Sequence, residues 1–458
     1  MSYGHGNGYG GGYGRPPQQQ GPHGYGPPGQ HGQHGHGQHG HGQHGHGQHG
    51  YGPQPYGQAP NVYTPQRNVY TPPGMGWDGE DIAGKESTRR KVGLALWILG
   101  IVVGILLNIL FTLAEVLLSS SPSKMANAIV MGAIFAFPPL VVYITVPKIL
   151  DRFDPEPWWS LAMAFAWGAI VATGFAGMIN TGVAIVFTQS YGKQTGELVS
   201  AAVSAPISEE LFKGMAVLGF FYFLRREFDG IVDGIIYGIL CGLGFAAVEN
   251  VSYYARAAVQ GQDTLAGTFV LRGVFTPWLH PLFTSMTGIG FGLARESSNK
   301  YVRGLAPLGG LMVGMSLHAM WNFLPTALGS EMTGGVFVVW LFVWLLFVAA
   351  FFGIIIALVV RKGRTIRDHL KDEVLLGNMT QDDVALVTSP FGRLTCTLSW
   401  RGGPGRSFIA AASKLALSKW HTARAMKGQK RTMSADFIAP LRQQMRQHRA
   451  EMLARAPR

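Results

Sequence analysis

Residues 198–224 read LVSAAVSAPISEELFKGMAVLGFFYFL. Apart from Glu209, Glu210 and Lys213 the stretch carries no charge, and its length suits a helix that crosses a bilayer. Two adjacent carboxylates and a lysine in hydrocarbon are costly, and where they occur they mark function. The fold and the chemistry are therefore read from the same segment.

The rest of the chain supports a membrane setting. Of 458 residues, 47% are hydrophobic and only 14% are charged, which is low for a soluble protein. Eight apolar runs reach spanning length, at about 92–118, 126–147, 160–187, 198–223, 231–255, 274–294, 304–326 and 335–360. The first begins too late to be a signal peptide, so none is expected. The two cysteines, Cys241 and Cys396, form neither a disulfide framework nor a metal motif. The expected fold is an all-α polytopic membrane protein with about eight transmembrane helices across residues 90–360.

Loop charges set the expected orientation. With the N-terminus inside, the inner flanks hold 15 Lys and Arg, against Lys124, Lys193, Arg256 and Arg272 outside. The positive-inside rule then places both termini in the cytoplasm, with the chain in the cytoplasmic membrane.

Two appendages flank the core. Residues 1–80 are rich in Gly, His, Gln and Pro, with the repeat HGQHGHGQHG, and hold ten of the 15 histidines. With almost no aliphatic side chains this segment is expected to be a disordered, solvated cytoplasmic tail. Metal sequestration by its imidazoles is the alternative. Residues 361–458 carry 19 Lys and Arg against seven Asp and Glu. Their stretches 407–427 and 436–456 have helical apolar spacing with basic faces, so a helical basic tail is expected. Its expected partner is the anionic inner leaflet, with a plain solvated helical pair as the alternative. No nucleic-acid module is present, so no nucleic-acid partner is expected.

The chemistry is sought in the spans, whose informative ionisable residues are Glu209, Glu210, Lys213, Glu249, His280 and His318. Glu209 and Lys213 are one helical turn apart, as are Phe245 and Glu249, and His318 and Asn322. Counted from the outer ends of four spans, Glu209, Glu249, His280 and His318 fall at one depth, roughly 9–15 Å below the surface. Small-residue steps at Gly234, Gly238 and Gly242, at Gly288 and Gly292, and at Gly310 and Gly314 permit close helix packing. Glutamates and histidines in a shared cavity suit water activation, with a histidine or a metal stabilising the oxyanion. A proton- or ion-coupled transporter uses the same residue types, and a buried polar network is a third reading.

EELFK (209–213), FAAVEN (245–250), HPLFTSMTGIGFG (280–292) and HAMWN (318–322) resemble, in order and spacing, the four motifs of the PrsW family of intramembrane proteases. LDRFDPEPWW (150–159) resembles that family's loop ending in Glu-Pro. The family is related to the CAAX prenyl proteases, whose second motif ends in His where this chain has Glu249. The resemblance implies an endopeptidase that cuts membrane-anchored, single-span proteins, with anti-sigma factors as a substrate class. It implies Glu209 and Glu210 as the catalytic acid pair, and His280 and His318 as metal ligands or oxyanion stabilisers. Asn322 would be a supporting donor and Glu249 a further ligand or base, with Lys213 and Phe245 in support. A catalytic zinc ion and a metal-free glutamate mechanism are both open. Transport would be favoured by an inverted repeat, and the acid and histidine motifs occur once each.

Overall fold

A computed structural model describes residues 79–427 and 434–456, and it contains helices and no strand among them. The Gly/His-rich segment read as disordered therefore lies outside the described residues. Helices α1 (Gly79–Leu117) and α2 (Pro122–Leu150) are followed by α3 (Trp158–Ala166) and α4 (Thr173–Tyr191), joined through a π-helical segment at Trp167–Ala172. Helices α5 (Lys193–Val199) and α6 (Ala205–Phe223) are likewise joined through a π-helical segment, Ser200–Ser204. Then come α7 (Ile231–Gln260), α8 (Gln262–Phe269) with a π-helical extension at Val270–Phe275, α9 (Leu279–Glu296), α10 (Lys300–Leu328) and α11 (Gly334–Asp368). Five short to medium helices finish the chain: α12 (Lys371–Leu375), α13 (Gln381–Thr388), α14 (Gly392–Leu398), α15 (Gly402–Lys427) and α16 (Ser434–Leu453).

Each of the eight apolar runs overlaps one of the long helical stretches. Five of these, α1, α2, α3–α4, α7 and α11, are long and apolar enough to cross a membrane. The other three, α5–α6, α9 and α10, carry Glu209, Glu210, Lys213, His280 and His318, and these polar groups lower their apolarity. Helix α7 is the centre of the bundle: 89% of its apolar stretch is buried, against 11% for α1 and α2. The outer helices turn Ile98, Leu99, Leu106, Val338 and Val339 outward, as lipid-facing helices do.

Glycines set the spacing at the centre. A Cβ on Gly238 of α7 would lie 2.9 Å from the Ser285 Cα of α9, and one on Gly242 would lie 2.6 Å from the Pro281 nitrogen. On the other side of α9, a Cβ on Gly314 of α10 would meet the Phe283 carbonyl at 2.5 Å. The small-residue steps read from sequence therefore bring α7, α9 and α10 into backbone contact. Gly238→Leu should destabilise the fold by about 3 kcal/mol, because the obstructing atoms are backbone and cannot rotate away. Gly304→Leu is the control, since a Cβ there meets nothing within 4 Å. Thermal unfolding in detergent should separate the two variants clearly; equal midpoints would contradict this packing.

The ends of the bundle are also specified. Asp233 caps α7 by accepting from the Asp229 and Gly230 amides at 2.8 and 3.0 Å, and it pairs with Lys362 at 3.3 Å. Within α7, the Tyr237 hydroxyl donates to Glu156, in the loop between α2 and α3, at 2.8 Å. Burial, reinforced by Asp233 and Asp151, pushes the Glu156 carboxyl up to about 11, so it keeps its proton at neutral pH.

The C-terminal helices form a packed unit. Phe408, Ile409, Ala412 and Leu415 of α15 and Met445 and Met452 of α16 are buried in one core with Ile366, Leu370, Val384 and Val387. That unit touches the ends of the membrane helices through His421, 3.6 Å from Asp229, and Arg393, which donates to the Arg152 carbonyl. The apolar faces of these helices cover one another. An apolar stripe seeks any apolar surface, and here a neighbouring helix supplies it. Basic side chains such as Arg406, Lys414 and Arg446 remain exposed.

Candidate active site

The π-helical turn ahead of α6 sets up the site. Within it the Ala205 amide bonds the Ser200 carbonyl, and the next residue, Pro206, has no N–H to offer Ala201. Asn322 fills the gap, its side-chain amide donating to the Ala201 carbonyl at 2.8 Å. Asn322 thus lies a helical turn from His318 and holds the start of the helix that carries the two acids. Such π segments frequently occur at functional sites.

One ammonium organises the cluster. Lys213 Nζ donates to Glu209 Oε2 at 3.1 Å and to Glu210 Oε1 at 2.8 Å, and lies 3.1 Å from His280 Nδ1. It sits 3.8 Å from the centre of the Phe245 ring and is fully buried. An ammonium has three donors and no acceptor, so His280 Nδ1 must accept. The ring proton is then on Nε2, which donates to Glu249 Oε2 at 3.0 Å. Glu249 is in turn paired with Arg272.

The two acids are not equivalent. Glu210 is completely buried and bonded by Lys213, by the Thr284 hydroxyl at 2.9 Å and by His318 Nδ1 at 3.1 Å. Glu209 has one hydrogen bond among the described residues, from Lys213. Its Oε2 faces His318 Nε2 across 3.8 Å and His280 Nδ1 across 4.0 Å, too far for direct bonds. A gap of that width between polar atoms is where a water bridges.

Of the residues read from sequence, Glu209, Glu210, His280 and His318 come together, one ligand atom from each lying within 4.8 Å of the others. Two carboxylate oxygens and two imidazole nitrogens form a donor set that fits zinc. The carboxylate of Glu249 behind His280 is the usual outer partner of a metal-binding histidine. Glu249 itself, read as a further ligand or base, stands outside the four because Arg272 and His280 Nε2 occupy it. Lys213 and Phe245 lie beside these four residues. Sequence reading missed two contributors. Thr284 follows His280 at helical spacing, a signal that was legible. Arg272 was counted only as a loop charge.

Residues 156–354 match the family model of the PrsW family intramembrane metalloproteases. That segment is similar to the PrsW family of intramembrane proteases. Protease PrsW of Oceanobacillus iheyensis is 25% identical over 190 residues, which cover 41% of this chain and 79% of the relative. The Protease PrsW of Bacillus subtilis is 26% identical over 196 residues, covering 42% and 81%. That of Geobacillus kaustophilus is 28% identical over 166 residues, covering 35% and 66%. No solved structure matches the chain. The matches to PrsW proteases and the five helices fit to cross a membrane together support a multi-pass membrane protease, and they favour peptidase over transporter.

Proposed function

We propose that this protein is an endopeptidase that hydrolyses a peptide bond in membrane-anchored, single-span proteins, anti-sigma factors among them, and that Glu209 is the general base. The observation that carries the reading is the 3.8 Å gap between Glu209 Oε2 and His318 Nε2, beside a second glutamate already fully bonded. Glu209 takes a proton from water in that gap, and the hydroxide oxygen bonds to the scissile carbonyl carbon. As Glu209 is protonated, the Lys213 N–H that had bonded it turns to the developing oxyanion. The C–N bond then breaks, and Glu209 returns its proton to the leaving amine. Glu210 anchors Lys213 and His318, Glu249 orients His280, and Asn322 holds the helix start. A zinc ion bound by Glu209, Glu210, His280 and His318 would supply Lewis-acid polarisation of the water and the carbonyl.

Loop charges support eight spans, cytoplasmic termini and a site opening to the outer half of the cytoplasmic membrane. The exposed basic side chains of the C-terminal unit suit anionic headgroups of the inner leaflet. The test is a purified preparation in vesicles with a single-span substrate. Two fragments whose masses sum to substrate plus one water, with the cut toward the outer side, are expected. Intact substrate, or a pH-driven solute flux in its place, would overturn the reading.

A further inference from the structure

A cleft of about 400 Å³ opens beside the acid cluster, lined by Tyr253, Gly267, Thr268, Arg272, Thr276 and Trp321 among others. It is linked to the chemistry through Arg272, and two further lining residues are near the histidines in sequence. Thr276 precedes His280 by four residues, Trp321 follows His318 by three, and Arg272 bonds the Glu249 that orients His280.

Arg272 is the one basic side chain in this lining, and it is held rigidly. Its Nε donates to Asn250 Oδ1 at 2.7 Å, its Nη2 bonds Glu249, and its guanidinium lies 3.7 Å from the centre of the Tyr253 ring. A guanidinium has five N–H donors in a planar fork. Asn250 and Glu249 take the side edge formed by Nε and Nη2, which leaves the end edge formed by Nη1 and Nη2. That edge matches a carboxylate in bidentate geometry, and a side chain already fixed on one edge and one face loses little freedom on binding. The rest of the lining is largely apolar, with Leu271, the Tyr253 ring and the Trp321 indole, and the hydroxyls of Thr264, Thr268 and Thr276 are set among them.

We propose that this cleft seats the substrate segment just outside the scissile bond, and that Arg272 selects an acidic side chain there. The inference rests on the protease reading above. In this role Arg272 determines specificity, and through Glu249 it also fixes the face that His280 presents to Lys213.

The experiment uses the purified full chain in vesicles and single-span substrates differing only at the three positions outside the cut, each carrying Asp, Asn or Lys. Wild type should cleave the best-placed Asp substrate about tenfold faster in kcat/KM than its Asn counterpart, the scale of one charged hydrogen bond. The Lys substrate should be slowest. Arg272→Gln should bring the Asp-to-Asn ratio close to one, and Arg272→Lys should restore part of it. Because the ratio is taken within each variant, a general loss of rate cancels. Gly267→Trp provides an independent arm, since a Cβ at Gly267 meets nothing within 4 Å and the ring would enter the cleft. It should raise KM for every substrate and leave kcat nearly unchanged. Equal cleavage of the whole panel by wild type, a preference that survives in Arg272→Gln, or an unchanged KM in Gly267→Trp would each overturn the inference while leaving the protease reading intact. A wild type that cuts no substrate removes the protease reading and the inference with it.

Discussion

Glu209→Gln should lower the cleavage rate about 10²–10⁴-fold, the usual cost of losing a positioned general base. The amide keeps the volume of the side chain and can still accept from Lys213, but it cannot take a proton from water. The fold should survive the change. Lys213 retains Glu210 and His280, and Glu210 retains its bonds from Thr284 and His318. Glu210→Gln is the informative contrast. That carboxylate receives three donors in a fully buried place, so its replacement should lower the unfolding midpoint as well as the rate. Rates compared at equal folded protein, with midpoints measured alongside, distinguish a base from an anchor. Equal loss of stability in the two variants would contradict the different roles assigned to them.

Lys213→Met should be the most destabilising change in the site. The ammonium is completely buried between two carboxylates, and its removal leaves both without their shared partner. Removing one member of a buried charge cluster typically costs about 3–5 kcal/mol, because the remaining charge stays desolvated and unpaired. His280 would also lose the donor that fixes its Nδ1 as acceptor. The triple variant Glu209→Gln, Glu210→Gln, Lys213→Met removes the charges together and should recover most of that stability while remaining inactive. Thermal unfolding in detergent gives both results directly. A Lys213→Met protein that unfolds at the wild-type temperature would show that the ammonium does not hold the acids.

Much of this was legible in the residues. Long apolar runs must be helices in lipid, because only a helix satisfies its own backbone there, so the order of the long helices followed from composition. The i and i+4 spacing of Glu209 and Lys213 correctly paired them. The same spacing understated Glu210, whose direction differs from that of Glu209 by about 100°. A lysine three and four residues on can reach both, and its long stem closes the angle. The glycine steps announced close packing, although not that α9 would lie between α7 and α10. Other features carry no local signal. Nothing in Arg272 itself says that a π-helical segment will turn it toward Glu249. Nothing in the periodicity of α15 tells lipid from helix as the partner of its apolar face. Helical periodicity reports that a face is apolar, and only the tertiary arrangement decides what covers it.

The most direct measurement is the initial rate of peptide-bond hydrolysis in vesicles containing only the purified protein and one single-span substrate, with wild type and Glu209→Gln compared at equal folded amounts. Steady release of two fragments by wild type and a rate at least about a hundredfold lower for Glu209→Gln is the expected result. Cleavage by Glu209→Gln at the wild-type rate would contradict the assignment of Glu209 as the base.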